Sequence, residues 1–210
     1  MGRKHLVYVL PGIGGSVLER PEVGGKPAKV VWDAGFGDIA GLLAKPGRLM
    51  VDEPLRASGL IRSKRLLPGW TVVPGYERLW ANLQALPGVV MDMGHAGQRN
   101  PAANVVLFPY DFRLGVRHAA KMLAADVHDR LKDLSPSERA GRVVVVAHSM
   151  GGLIARYWLG PGWPLCRALI TLGTPHRGAP KALQLLANGV RGRSASVSSI
   201  SDACADQAHP

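Results

Sequence analysis

The chain has little cysteine and comparatively little acid. Two cysteines, Cys166 and Cys204, stand in no CxxC or other metal-ligand spacing, so the sequence calls for no metal site and nothing asks for a disulfide. Near the N-terminus the apolar run Leu6 to Leu10 stops at Pro11, too short for the core of a signal peptide. No stretch reaches the roughly 18 apolar residues of a membrane span, and a cytoplasmic protein is the expectation. Acids number 15 against 26 Lys and Arg, a formal charge of +11. Such a balance admits attraction to nucleic acid or anionic lipid. The basic residues are scattered, however, and the densest cluster, Arg62 to Arg65, is short. With no nucleic-acid-binding motif, a basic solvated surface is expected and nucleic-acid binding is a remote alternative.

What is abundant is glycine (26) and proline (16), at a mean hydropathy of +0.06. That composition points to many turns and long loops. At 210 residues the chain suits one domain with a substantial core.

Apolar runs alternate with helix-period segments. "HLVYVLPG" (His5 to Gly12) reads as a buried strand ending in a glycine-rich turn, and "ANVVLFPYDF" (Ala103 to Phe112) as a second. Val116, Ala120, Leu123, Val127, Leu131 and Leu134 recur at spacings of three and four, an amphipathic helix. "RVVVVAH" is a third strand and "CRALITLG" a fourth. Between them "MGGLIARYWL" is a helix ended by Gly160-Pro161-Gly162, and "PKALQLLANG" is a later one. This alternation predicts an α/β fold, a mostly parallel sheet flanked by helices. An insertion over about residues 21–100 holds one clear helix (Tyr76, Leu79, Trp80, Leu83, Leu86) among irregular segments, a length suited to a cap or lid. The domain is expected to run to about residue 190, and 191–210, rich in serine and alanine, to be a disordered tail.

In "VVVVAHSMGG" (Val143 to Gly152) one serine follows a β-branched strand and precedes a pair of glycines. A nucleophile raised on a sharp strand-to-helix turn needs small residues two before and two after it, the G-x-S-x-G pattern. Here Ala147 takes the first glycine's place and Gly151 the second's. A plain helix cap would need neither constraint, which makes Ser149 the candidate nucleophile. Its oxyanion would need two donors, for which the backbone N–H groups of Met150 and of Ile13, in "LPGIGGS", are the candidates. The alternative reading of "GIGG" as a dinucleotide-binding turn lacks its third glycine, since Val17 stands there. No cofactor is expected.

With these motifs the chain resembles the lecithin:cholesterol acyltransferase-like branch of the α/β-hydrolases. The likeness rests on "VYVLPGIGGSVLE", "VWDAGFGDI", "GWTVVPGY", "FPYDFRLGV", "VVVVAHSMGGLIARYWL" and "ALITLGTPHRGAPKAL", in family order, with Phe112 where the family has tryptophan. The resemblance implies an acyl-enzyme on Ser149 acting on lipid or other hydrophobic esters. It implies an oxyanion hole from Ile13 and Met150, and a lid within the insertion over an apolar pocket. It also allows peripheral contact with a lipid surface; oligomeric state is not implied. Trp32, Phe36, Trp70 and Tyr76 are candidate lining residues. Asp111 and Arg113 in "YDFR" are expected to form a structural ion pair near the site.

The triad acid and histidine should follow the serine on later strands. Only "CRALITLG" reads as a strand there, so the last strands are expected to be missing. The downstream candidates are Asp202, Asp206, His176 and His209. His176, just past that strand, is the one placed to serve as a base; Asp202 with His209 would lie on a tail unable to hold an imidazole in place. Two readings remain: an acyltransferase or lipase-type serine enzyme, or a truncated, catalytically impaired remnant of one.

Overall fold

The computed structural model describes residues 5–24, 27–35, 49, 51, 54–67, 70–73, 75–94 and 99–180, with 64–67 and 70–73 described by their backbone. The elements in chain order are β1 (Leu6–Leu10), β2 (Ser16–Arg20), β3 (Lys29–Trp32), β4 (Arg56–Leu60), β5 (Lys64–Leu67), β6 (Trp70–Val73) and α1 (Glu77–Gln84). They continue with β7 (Met91–Asp92), β8 (Val105–Leu107), α2 (Gly115–Leu131), α3 (Pro136–Arg139), β9 (Val143–His148), α4 (Met150–Gly162) and β10 (Cys166–Leu172).

Five strands form one sheet in the order β10-β9-β1-β8-β7, with every neighbouring pair parallel. Because successive side chains alternate between faces, Leu6, Tyr8 and Leu10 join Val143, Val145 and Ala147 on one side. There they meet α2 through Leu123 and Val127, and α4 through Ile154 and Trp158. Val9, Val105 and Leu107 face the other way, onto Trp80, Leu79 and Leu83 of α1. The sheet is therefore an α/β arrangement with helices on both faces.

The helical spacing in 116–134 corresponds to α2, in which Ala120, Leu123, Val127 and Leu131 are buried; Leu134 packs on them from beyond the helix end. Four expectations are revised. The strand read over Ala103 to Phe112 is only β8, and the segment after Leu107 turns away to support the site. The insertion holds strands besides its helix: β3 and β4 pair antiparallel with β2, which precedes the insertion, β5-β6 is a hairpin, and β7 joins the edge of the main parallel sheet. Leu86 falls past the end of α1 and is 54% exposed. Finally, α4 runs through Pro161 to Gly162, since a proline in the last turn removes only one i→i−4 bond before the chain leaves in a 3-10 turn at Trp163–Leu165. The helix expected after Pro180 and the tail lie outside the described residues.

A buried charge network joins sheet and helix beside the core. Arg130 of α2 donates to Asp92 of β7 at 2.6 Å, to Asp126 at 2.9 Å and to the Asn100 carbonyl at 3.2 Å. Tyr8 of β1 donates to the same Asp126 at 2.6 Å. Burial, reinforced by the Asp126 charge, drives the Tyr8 phenol far above its ordinary value, so it remains a donor. Burial alone would raise the Asp92 carboxyl; Arg130 and the N–H groups of Gly94 and Asn100 outweigh it and hold it below its ordinary 3.8. A lowered carboxyl contributes stability above its ordinary value and loses it as pH falls through the lowered one. Replacing Arg130 with Met leaves the buried Asp92 carboxylate without its counter-charge, while Asp126 keeps Tyr8 and Arg99, and is expected to cost about 3–5 kcal/mol at neutral pH. In urea unfolding the gap to wild type should narrow as pH falls, because Asp92, no longer held down by Arg130, takes up its proton in the variant before it does so in wild type.

Candidate active site

The apolar strand β9 places Ser149 at the sheet's carboxyl edge, between its last residue and the first turn of α4. Ser149 has φ 50° and ψ −120°, a region that non-glycine residues avoid, and is half-buried. Two bonds hold it there. Its N–H donates to the Leu172 carbonyl at the end of β10 (2.8 Å), and its carbonyl accepts from the Gly152 N–H (3.0 Å).

The flanking glycines answer to the closeness of this turn. A Cβ on Gly151 would lie 2.4 Å from the Pro11 carbonyl oxygen. One on Gly152 would strike the Thr174 side chain at 1.9 Å. Both distances are shorter than any van der Waals contact, so the chain needs hydrogen at these positions. Ala147 is fully buried against the α2–α4 face.

The loop after β1 faces this turn, and most of its backbone groups are tied down. Pro11 O accepts from the Tyr110 hydroxyl (2.8 Å), and the Gly12 N–H donates to the Tyr76 hydroxyl (2.8 Å). Gly12 O accepts from Gly15 N–H (3.0 Å), Gly14 O from the Trp32 indole (2.9 Å) and Gly15 O from Ile61 N–H (3.0 Å). Among the described residues, the N–H groups of Ile13 and Gly14 have no partner, nor does the N–H of Met150 at the start of α4. A helix N-terminus leaves such donors free. Rigid backbone N–H groups left unpaired beside a nucleophile are what oxyanion stabilisation requires. The loop leads into strand β2 rather than a helix, which removes the dinucleotide-binding reading.

Other sequence candidates fall around this pair. Trp32 sits against Gly14, with its ring edge toward Phe112 (centroids 6.0 Å apart), and so braces the loop. Tyr76 lines an apolar cleft of about 270 Å³ with Leu10, Leu79, Val146, His148 and Leu172. The side chains of Phe36 and Trp70 lie outside the described residues. Asp111 and Arg113 form a buried ion pair, with Arg113 Nη2 2.7 Å from Asp111 Oδ2 and Nε 2.9 Å from Oδ1. It anchors the segment in which Tyr110 N–H meets the buried Ser16 hydroxyl at 3.0 Å. His176 contacts Thr171 Oγ1 at 3.5 Å and, among the described residues, makes no hydrogen bond with Ser149. Asp202, Asp206 and His209 lie outside the described residues. Sequence reading missed the roles of Tyr110, Thr174 and the Tyr76 hydroxyl, because each acts across a long chain separation with no local pattern.

Glycine in place of Ser149 should relax the strained backbone. Relief of about 1–3 kcal/mol, less about 0.5–1 kcal/mol for glycine's extra freedom when unfolded, leaves Ser149→Gly about 1 kcal/mol more stable in denaturant unfolding. Ser149→Ala keeps the strain and should unfold at the wild-type denaturant midpoint.

The sequence profile of lecithin:cholesterol acyltransferases matches residues 76–204, more than half of the chain, including the Ser149 turn but not the Ile13 loop. An uncharacterized protein of Saccharomyces cerevisiae, YJR098C, is 35% identical over 77 residues. That match spans 36% of this chain and only 11% of the yeast protein. No solved structure matches the chain. No helix among the described residues is long and apolar enough to cross a membrane. The strained serine turn, its glycines and the profile match agree: the chain belongs to the lecithin:cholesterol acyltransferase family.

Proposed function

We propose that the chain is an acyltransferase or lipase-type serine enzyme acting on lipid or other hydrophobic esters through an acyl-enzyme on Ser149. The family supports acyltransferase- or lipase-like chemistry in general. The observation that carries the finer reading is the backbone of Ser149, held at φ 50° beside unpaired N–H groups from two separate loops. Ser149 Oγ would attack the ester carbonyl, giving its proton to a base, and the oxyanion would rest on the N–H groups of Ile13 and Met150. Collapse expels the alcohol and leaves an acyl-serine. Water or an acceptor alcohol then completes the cycle, as hydrolysis or transfer. Each oxyanion donor supplies roughly 10²–10³ in rate.

The cleft beside Tyr76 and His148 is apolar, which suits an acyl chain. Ile13 is 69% exposed at the mouth of the site, where it could enter a lipid surface. Part of the insertion over about residues 21–100 is assigned the lid. A second reading is favoured by one observation: among the described residues no histidine or carboxylate hydrogen-bonds Ser149. Without a base, turnover falls by about 10⁶, leaving a hydrophobic-ligand-binding protein.

A fluorophosphonate probe separates the two. The enzyme reading expects labelling at Ser149, located by peptide mass spectrometry and absent in Ser149→Ala, with p-nitrophenyl ester turnover rising with acyl length. A folded chain that stays unlabelled supports the second reading.

A further inference from the structure

The two expected oxyanion donors sit on different connections, Ile13 after β1 and Met150 after β9. A site of this kind must hold them within about 0.5 Å of the productive geometry. Backbone pairing of β1 with β9 ends at Leu10↔Ala147, short of both donors. Beyond that point a side chain makes the connection. The Tyr76 hydroxyl, just ahead of α1, is 2.8 Å from Gly12 N and 2.8 Å from His148 Nδ1. The two rings meet edge to face with centroids 5.9 Å apart. Gly12 lies so close that a Cβ there would stand 3.0 Å from both His148 Nδ1 and Ser149 Cβ.

Donor accounting fixes the first of these bonds and guides the assignment of the second. Gly12 N–H can only donate, so the Tyr76 oxygen accepts. Burial raises the Tyr76 phenol above its ordinary value, a shift the Gly12 bond only partly offsets, so the phenol keeps its single proton. With no other acceptor for it among the described residues, that proton is assigned to His148 Nδ1, as the unprotonated ring nitrogen, leaving hydrogen on Nε2. His148 is thereby fixed in one tautomer and one orientation, adjoining the nucleophile.

We propose that Tyr76 and His148 are positioning residues, a clamp that registers the Ile13 loop against the Ser149–Met150 turn. The proposal rests on the reading of Ser149 as nucleophile and gives Tyr76 a role beyond lining the cleft. Neither residue touches the reacting atoms.

Tyr76→Phe removes the hydroxyl and keeps the ring; His148→Leu removes the acceptor, and His148→Asn restores an acceptor near the Nδ1 position. Both disruptive variants are expected to slow fluorophosphonate labelling of Ser149 by about 10- to 100-fold. For Tyr76→Phe, which keeps the ring that lines the cleft, the concentration of probe giving half-maximal rate should stay unchanged. The double variant should be no slower than the slower single one, and His148→Asn should recover most of the rate. Wild-type labelling by Tyr76→Phe, or multiplying effects in the double variant, would overturn the clamp. Nuclear magnetic resonance of the unsubstituted chain gives a reading independent of variant folding. It should show a slowly exchanging Gly12 amide and His148 protonated at Nε2; a freely exchanging amide or a protonated Nδ1 rejects the proposal. If wild type is not labelled at all, the nucleophile reading fails by itself. The clamp then still requires Tyr76→Phe to shift the amide resonances of both Ile13 and Met150, and a shift confined to the Ile13 loop defeats it.

Discussion

The backbone of Ser149 sits where no side chain is comfortable, and the surrounding structure is arranged to keep it there. A strained residue persists only when its neighbours over-determine it. Here the neighbours are a six-residue strand pinned on both sides by parallel partners, a helix starting at the next residue, and a carbonyl from β10 that captures the serine's own N–H. Strain of about 1–3 kcal/mol is small beside the burial of the strands and helices that enforce it. The same closeness accounts for hydrogen in place of a side chain at Gly151 and Gly152, since the space a methyl would need already holds Pro11 and Thr174.

Around that turn, polar groups are satisfied with few exceptions, and the exceptions are informative. The loop from Pro11 to Gly15 gives four carbonyls and two N–H groups to Tyr110, Trp32, Tyr76, Ile61 and itself. Rigidity follows from those bonds, while the N–H groups of Ile13 and Gly14 have no partner among the described residues. Charge is handled in the same manner further off. Arg130 lies between Asp92 and Asp126, and Arg113 grips Asp111 through two nitrogens, so these buried ions are paired.

Much of this was legible in the sequence. The four consecutive valines from Val143 to Val146 suit the middle of a sheet, where β-branched side chains pack on both faces. The repeat of Leu123, Val127 and Leu131 marks a helix packed on one face. The sharp turn at Ser149 follows from Ala147, Gly151 and Gly152, the small residues around it. The insertion was read poorly. β3 and β4 are short and mixed in character, and they exist because each pairs with β2, which precedes the insertion. No local period announces such partners.

Sequence by itself determined the parallel α/β framework and the serine turn, because both follow from local rules: alternation of apolar runs, and the small residues a sharp bend demands. Tertiary structure decided which side chains serve that turn. Tyr76, Tyr110, Trp32 and Thr174 are brought to it from other parts of the chain, and a hydrogen bond between distant residues depends on three-dimensional placement that no short pattern encodes.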